Sequence, residues 1–385
     1  MPDLIPWALV EPNDPPPSWP AKEQHTAGVQ GLFFENIPWK GQPTRVFAWM
    51  GLPDLPAGAT CPGMILLHGG GGTAFAEWVR LWNQRGYAAI AIDQCGCMPG
   101  PNPIIGFEQP VRHAFGGPPG WDASFDAAGE DITDQWVFHV IAAASRARAL
   151  LAAQPGVAAD RIGVTGISWG GYMTNLVASI MPGLKCAIPV YGCGFLGDNS
   201  FWKNEVFPSK PRQLVERWLE LWDPSRYLSS ANLPMCWVSG TNDFAYPLDS
   251  LQKSYSLPSG DSTLCIRVEM PHSHPDGWAP EEIGIFADRL LNGGEPLPHV
   301  NSHGIDGQIL WAEFESHRPI VSTEINYTRA TGQWQDRKFN RLPAQYDSAT
   351  GRVHAVIPKN TSVCFLNVFD ERGCVCSTPH YEFGR

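Results

Sequence analysis

This chain is poor in charge for its size. Only 17% of its 385 residues are charged, and the acidic ones outnumber the basic by 38 to 27. The resulting net charge of -11 argues against nucleic acid and anionic membranes as partners, since both are held by basic surfaces. No apolar run is long enough to cross a bilayer. The first residues, Met1-Pro2-Asp3-Leu4-Ile5-Pro6-Trp7, lack the basic and apolar regions of a secretory leader. A cytoplasmic protein is therefore expected, the alternative being a secreted one whose leader has been removed. The ten cysteines include no C-x-x-C pair. Cys95/Cys97 and Cys374/Cys376 are C-x-C pairs, and Cys236, Cys265 and Cys364 sit in apolar strand-like runs. That usage suits reduced, buried thiols better than a disulfide framework or a zinc site. No internal repeat is visible.

What the chain does have is apolar residues, at 43%, together with 39 glycines and 36 prolines. The first number provides for a large core and the other two for many ordered loops. Residues 1–30, rich in proline near the start, read as an N-terminal arm. From there to residue 298 the pattern becomes strands alternating with helices, after a hairpin over Gly31 to Leu52 that turns at Lys40-Gly41-Gln42-Pro43. Met64-Ile65-Leu66-Leu67 and Tyr87 to Ile92 read as buried strands, with a helix over Ala74 to Arg85 between them. Gln94 to Gly129 is long, irregular and rich in Gly and Pro, the profile of a loop over a site. Thr133 to Ala153 is a helix with an apolar stripe. Residues 192–230 form an insertion. Met235 to Ser239 and Leu264 to Glu269 are two further strands, and Pro280 to Leu291 is the closing helix. Such alternation predicts an α/β fold: a mostly parallel sheet with helices on both faces, its functional loops at the carboxyl ends of the strands. Residues 299–385 show only short strands and turn signals, so a small all-β, sandwich-like domain is expected there.

One motif carries chemistry. Gly166-Ile167-Ser168-Trp169-Gly170 lies between an apolar β-branched run and a helical run. A serine between glycines at a strand-to-helix turn is the nucleophile-elbow pattern, in which a strained turn lifts the hydroxyl clear of the sheet. A serine hydroxyl needs an imidazole to take its proton, and the imidazole needs a carboxylate to fix its tautomer. Asp243, just past the strand ending at Ser239, is the candidate acid, and Asp249 the weaker one because it should lie inside the next helix. The base is one of two histidines in Met270-Pro271-His272-Ser273-His274. His274 is preferred because its greater distance from the strand end gives the loop room to bend back over the serine; His272 is the alternative. A metal held by this pair would lack acidic or cysteine ligands nearby. An oxyanion hole needs two backbone N–H groups. Trp169, after the nucleophile, should supply one, and Gly70 or Gly71, in His68-Gly69-Gly70-Gly71-Gly72, the other. His68 reads as a brace for that loop. The glycine run lacks the Lys-Ser/Thr of a phosphate loop.

Leu67-His68-Gly69-Gly70, the stretch from Arg161 to Gly171 and Gly240-Thr241-Asn242-Asp243 together resemble the α/β-hydrolase superfamily. Within it the resemblance is nearest to the group of dienelactone hydrolases, prolyl oligopeptidase-like enzymes and acetyl xylan esterases. It spans roughly Gly31 to Gly294 and implies Ser168, Asp243 and a histidine of the 272–274 loop as a triad. The expected activity is hydrolysis of a carboxylic ester through an acyl-enzyme, with no metal or organic cofactor. The expected substrate is a small acyl group, such as acetyl, on a carbohydrate or related alcohol. Trp121, Trp202, Trp218 and Trp222 are candidates for stacking on sugar rings, core packing being their plainer role. Two other readings stand beside this one. A prolyl oligopeptidase-like peptidase is the first, although the short segment before Gly31 leaves no room for the large domain those enzymes carry. The second is a non-catalytic protein that binds a glycan or a partner.

Overall fold

The computed structural model describes residues 5–12, 14–100 and 110–384. Its centre is a nine-stranded sheet built from β1 (Ser18–Thr26), β2 (Val29–Trp39), β3 (Gln42–Gly51), β4 (Cys61–Leu67), β5 (Ala88–Ile92), β8 (Val157–Ile167), β9 (Ala187–Val190), β10 (Met235–Gly240) and β11 (Ser262–Arg267). The order across it is β1-β2-β3-β5-β4-β8-β9-β10-β11. The first three strands are an antiparallel meander, and β3 joins β5 antiparallel. From β5 to β11 every pairing is parallel. β6 (Cys97–Pro99) and β7 (Pro110–Arg112) form a separate antiparallel pair. β4 and β5 are buried at every position, as strands covered on both faces must be.

The helices between the strands are α1 (Ala76–Gln84), α2 (Ala123–Asp126), α3 (Trp136–Ala152), α4 (Trp169–Ile180), α5 (Arg212–Trp222), α6 (Leu248–Tyr255), α7 (His274–Trp278) and α8 (Glu281–Leu291). The sequence suggests a single apolar stripe for α3, yet its first ten residues are all buried. The N-terminal segment supplies the missing cover. The Trp7 ring stacks on Phe138 at 6.0 Å, and Arg146 Nη1 donates to the Val10 carbonyl at 2.9 Å. Asn36 Nδ2, from β2, donates to the His139 carbonyl at 3.1 Å. The expected N-terminal arm of residues 1–30 is thus shorter than its composition suggests. Ser18–Thr26 is a sheet strand, and the proline-rich stretch before it packs partly on α3. Residues 101–109, within the long loop, lie outside the described residues.

β12 (His299–Asp306), β13 (Ile309–Glu315), β17 (Arg352–Val356) and β16 (Gln345–Asp347) form one antiparallel sheet of the C-terminal region. A second contains β15 (Asn340–Pro343), β14 (Ile320–Thr328), β18 (Val363–Asp370) and β19 (Val375–Ser377), with β20 (Tyr381–Glu382) paired to β18. Period-two alternation turns Leu310, Ala312 and Phe314 inward to meet Ile325, Leu366 and Val368 in a shared core. This is the expected α/β architecture with a sandwich-like β domain.

The two parts meet along β11, the last strand of the large sheet. An edge strand leaves a row of backbone groups unpaired. Here side chains of the β domain satisfy some of them. Ile266 N–H donates to Ser377 Oγ at 2.9 Å, and the Ile266 carbonyl accepts from Asn367 Nδ2 at 3.0 Å. The wholly buried Glu282 of α8 accepts from Val375 N–H at 2.7 Å and pairs with Arg267. Ser377→Ala leaves a buried N–H without an acceptor. It should therefore lower the unfolding free energy by about 1–3 kcal/mol, read from urea denaturation.

Candidate active site

Ser168 ends β8 and opens α4 with φ 59° and ψ -118°, a left-handed conformation that side chains rarely adopt. Gly170 makes this turn possible. A methyl group on it would overlap the carbonyl oxygen of Leu67, so the first turn of α4 can lie against the end of β4 only without one. The helix direction leaves the Trp169 N–H without an intrahelical acceptor.

The serine Oγ lies 2.9 Å from His272 Nε2, and His272 Nδ1 lies 2.6 Å from Asp243 Oδ2. Because a carboxylate only accepts, Nδ1 carries the proton and Nε2 is left to accept from the serine hydroxyl. Asp243 is 1% exposed, and its other oxygen accepts from the backbone N–H groups of Ala245 (2.9 Å) and Tyr246 (2.7 Å). Those two bonds set the carboxylate's orientation before any substrate arrives.

The preference for His274 is corrected here: His272 is the histidine between Ser168 and Asp243. The loop after β11 does not need the extra length. Glu269 N–H bonds Thr241 Oγ1 at 3.1 Å, and Thr241 N–H bonds the Arg267 carbonyl at 3.0 Å, so the chain folds at once onto the loop carrying Asp243. His272 is in reach of the serine at that point. By residue 274 the chain has entered α7, whose N-cap Ser273 accepts from Asp276 N–H at 3.1 Å. His274 turns instead to the glycine run, where its Nε2 accepts from Gly69 N–H at 2.9 Å and its ring lies 4.6 Å from Phe75. The weaker acid candidate, Asp249, lies in α6 and accepts from Asn199 Nδ2.

The glycine run lies across the serine. With the Gly69 N–H taken by His274, the free donors of this loop come from the next residues, and both Gly70 and Gly71 line the cavity together with Ser168 and Trp169. His68 is fully buried within the loop. Its Nδ1 donates to the Gly69 carbonyl at 2.8 Å, its Nε2 accepts from Gln94 N–H at 3.2 Å, and Gln94 Nε2 donates to the His68 carbonyl at 2.6 Å.

Tyr191 carries no motif that would single it out in the sequence, yet it belongs to the site. Its ring stacks on His272 at 4.4 Å and 25°, and its hydroxyl donates to the Pro271 carbonyl at 2.6 Å. Burial first, and then the Asp243 charge, push its phenol far above the ordinary range, so it stays a donor. Phe244 covers His272 from another side at 4.8 Å, leaving the imidazole set between two aromatic rings. The only available signal was position, with Tyr191 directly after the strand neighbouring β8. The cavity above the serine has a volume of about 630 Å³, and Trp121, Trp202, Phe201 and Phe244 form much of its wall. Trp218 and Trp222, also candidates for sugar stacking, are 1% and 0% exposed and belong to the core.

Comparison with solved structures places this architecture. An acetyl xylan esterase from Paenibacillus sp. R4 aligns at 19% identity with a TM-score of 0.53, over 69% of this chain and 86% of the other. Acetyl Xylan Esterase 1 from Thermoanaerobacterium sp. JW/SL YS485 aligns at 15% identity with a TM-score of 0.52, over 72% of this chain and 87% of the other. The chain has the α/β-hydrolase fold. A family model described as BAAT / acyl-CoA thioester hydrolase C terminal matches residues 145–223, the stretch that holds Ser168. No curated protein sequence matches the chain. Among the described residues of this α/β-hydrolase fold, no helix is long and apolar enough to cross a membrane.

Gly170→Ala tests the wedge under the elbow. It should cost about 3 kcal/mol in urea unfolding, because the added methyl group meets backbone rather than a side chain that can turn away.

Proposed function

We propose that this protein is a serine hydrolase that cleaves a carboxylic ester through an acyl-enzyme. The observation that carries the reading is the continuous relay from Ser168 Oγ to His272 Nε2 (2.9 Å) and from His272 Nδ1 to Asp243 Oδ2 (2.6 Å). In this reading Oγ attacks the ester carbonyl as His272 takes its proton. Asp243 holds the imidazole and stabilises its charged form. The negative oxygen of the tetrahedral intermediate is met by the N–H groups of Trp169 and Gly70. His272 returns the proton to the departing alcohol, and a water molecule repeats the sequence to free the acid.

His274 has a separate part. By accepting from Gly69 N–H it holds the glycine run at the height where the next N–H can point at the oxyanion. Nucleophile, base and brace thus come together from β8 and one tripeptide, His272-Ser273-His274.

A small acyl group on a sugar alcohol is the substrate class suggested by the names of the two aligned esterases. Trp121 and Trp202, which line the cavity, are the rings that remain for stacking. A coenzyme A thioester, the class named by the matching family model, fits less well: among the described residues no lysine or arginine lines the cavity to receive its phosphates.

With p-nitrophenyl acetate as substrate, Ser168→Ala and His272→Ala should each lower kcat by about a thousandfold or more. Unchanged turnover in Ser168→Ala rules the reading out. His274→Phe keeps a ring but removes the acceptor, and should lower kcat by about tenfold to a hundredfold with little change in KM. His274→Gln, whose amide oxygen can accept from Gly69, should restore most of that loss. A similar defect in both His274 variants would show that the ring matters for packing and not as an acceptor.

A further inference from the structure

Two unusual pieces of backbone meet on one wall of the cavity, and the catalytic relay uses neither. The first is Gly120-Trp121-Asp122. Trp121 is held at φ 56°, a left-handed conformation that costs a bulky residue about 1–3 kcal/mol and persists only where the surroundings enforce it. Its ring is fixed against His68 at 5.5 Å, Trp136 at 5.3 Å and Trp169 at 6.0 Å. Gly120 passes so close to Cys95 Sγ and Trp136 Nε1 that a methyl group there would lie 2.6 Å from each. The segment is pressed into the cavity by this packing. The second piece is the π-helical turn Trp202–Val206, a rare form that concentrates at functional sites. It presents Trp202, whose ring centre lies 4.5 Å from that of Trp169.

The two pieces are joined by one bond, Trp202 Nε1–H to Asp122 Oδ1 at 3.0 Å. Among the described residues lining the cavity, Asp122 is the one formally charged residue, the histidines aside. Lys210 pairs with Asp126, and Lys203 donates to the Asp198 carbonyl. Among the described residues Asp122 forms no ion pair. A carboxylate offers about four lone-pair positions, and the indole takes one. Beside it stand rings whose faces attract positive charge. Among the described residues of the wall, outside Ser168, His272 and His274, the polar side-chain groups are the Asp122 carboxylate, the Ser273 hydroxyl and the indole N–H groups of Trp121, Trp169 and Trp202, the last already bonded to Asp122. An anionic substrate would be repelled.

We propose that this wall is a cation subsite, and that the ester cleaved at Ser168 carries an alkylammonium group seated between Asp122 and the rings of Trp121 and Trp202. The proposal rests on the ester-hydrolase reading and puts an amino alcohol in place of the sugar alcohol that the names of the aligned esterases suggest. The cavity's volume of about 630 Å³ accommodates an ester of the size of (2-acetoxyethyl)trimethylammonium.

The test compares (2-acetoxyethyl)trimethylammonium with its uncharged isostere, 3,3-dimethylbutyl acetate. The charged ester should show a kcat/KM about tenfold higher at low salt, and the advantage should shrink as salt is added. In Asp122→Asn, which preserves shape and can still accept from Trp202, that ratio should fall by about tenfold. Trp202→Phe provides a second variant in case the first does not fold. Binding is read separately by calorimetry with phenyltrimethylammonium and benzenesulfonate. Wild type should bind the cation and not the anion, and Asp122→Asn should bind the cation about tenfold more weakly. Equal turnover of the two acetates, a ratio unaffected by Asp122→Asn, or no binding of the cation overturns the subsite. Full activity of Ser168→Ala on p-nitrophenyl acetate instead overturns the ester-hydrolase reading, and calorimetry still decides whether the wall binds cations.

Discussion

The backbone of Ser168 is the constraint on which the rest of the site depends. Holding a side-chain-bearing residue at φ 59° costs free energy that its own contacts cannot return. The cost is offset by α4, which is almost wholly buried, and by β4 and β9, which flank the strand leading into the turn. Ser168 N–H bonds the Val190 carbonyl at 2.9 Å, and Tyr172 N–H bonds the Ser168 carbonyl at 2.8 Å. The serine is thus fixed by the sheet on one side and by the helix on the other. The other parts of the candidate site come to it from loops at the carboxyl ends of parallel strands: the glycine run after β4, Tyr191 after β9, Asp243 after β10 and His272 after β11.

Division of labour between two histidines two positions apart comes from local backbone geometry. His272 lies in the extended loop and reaches the serine, whereas His274 begins a helix and is turned toward Gly69. Both rings act as hydrogen-bond acceptors at Nε2, one for a hydroxyl and the other for a backbone amide. The short connection means that the position of the His272 ring and that of the glycine run are not independent: a shift of the 272–274 segment moves both.

Much of this was legible in the sequence, for identifiable reasons. The elbow is spelled out by Gly166, Ser168 and Gly170, because sterics at that turn allow few alternatives. Asp243 was legible from its place after an apolar strand. The α/β layers and the all-β region could be read from hydrophobic periodicity. The choice between His272 and His274 could not, because it depends on where the chain turns after β11, and that is set by the bonds of Thr241, far away in sequence. The same holds for the start of the large sheet. Proline-rich composition suggested an arm up to residue 30, yet Ser18–Thr26 pairs with β2 as an added strand. Trp218 and Trp222 could not be told from Trp202 by residue type, since burial is decided by how α5 packs. The left-handed Trp121 carries no local signature at all.

Asn242, the neighbour of Asp243, donates through Nδ2 to the carbonyls of Gln335 (3.2 Å) and Arg337 (2.5 Å) in the β domain. The acid of the relay is therefore held from two sides, by the sheet that carries its loop and by a domain that supplies none of the relay residues. A substitution that shifts residues 335–337 is thus transmitted through Asn242 to the loop that carries Asp243.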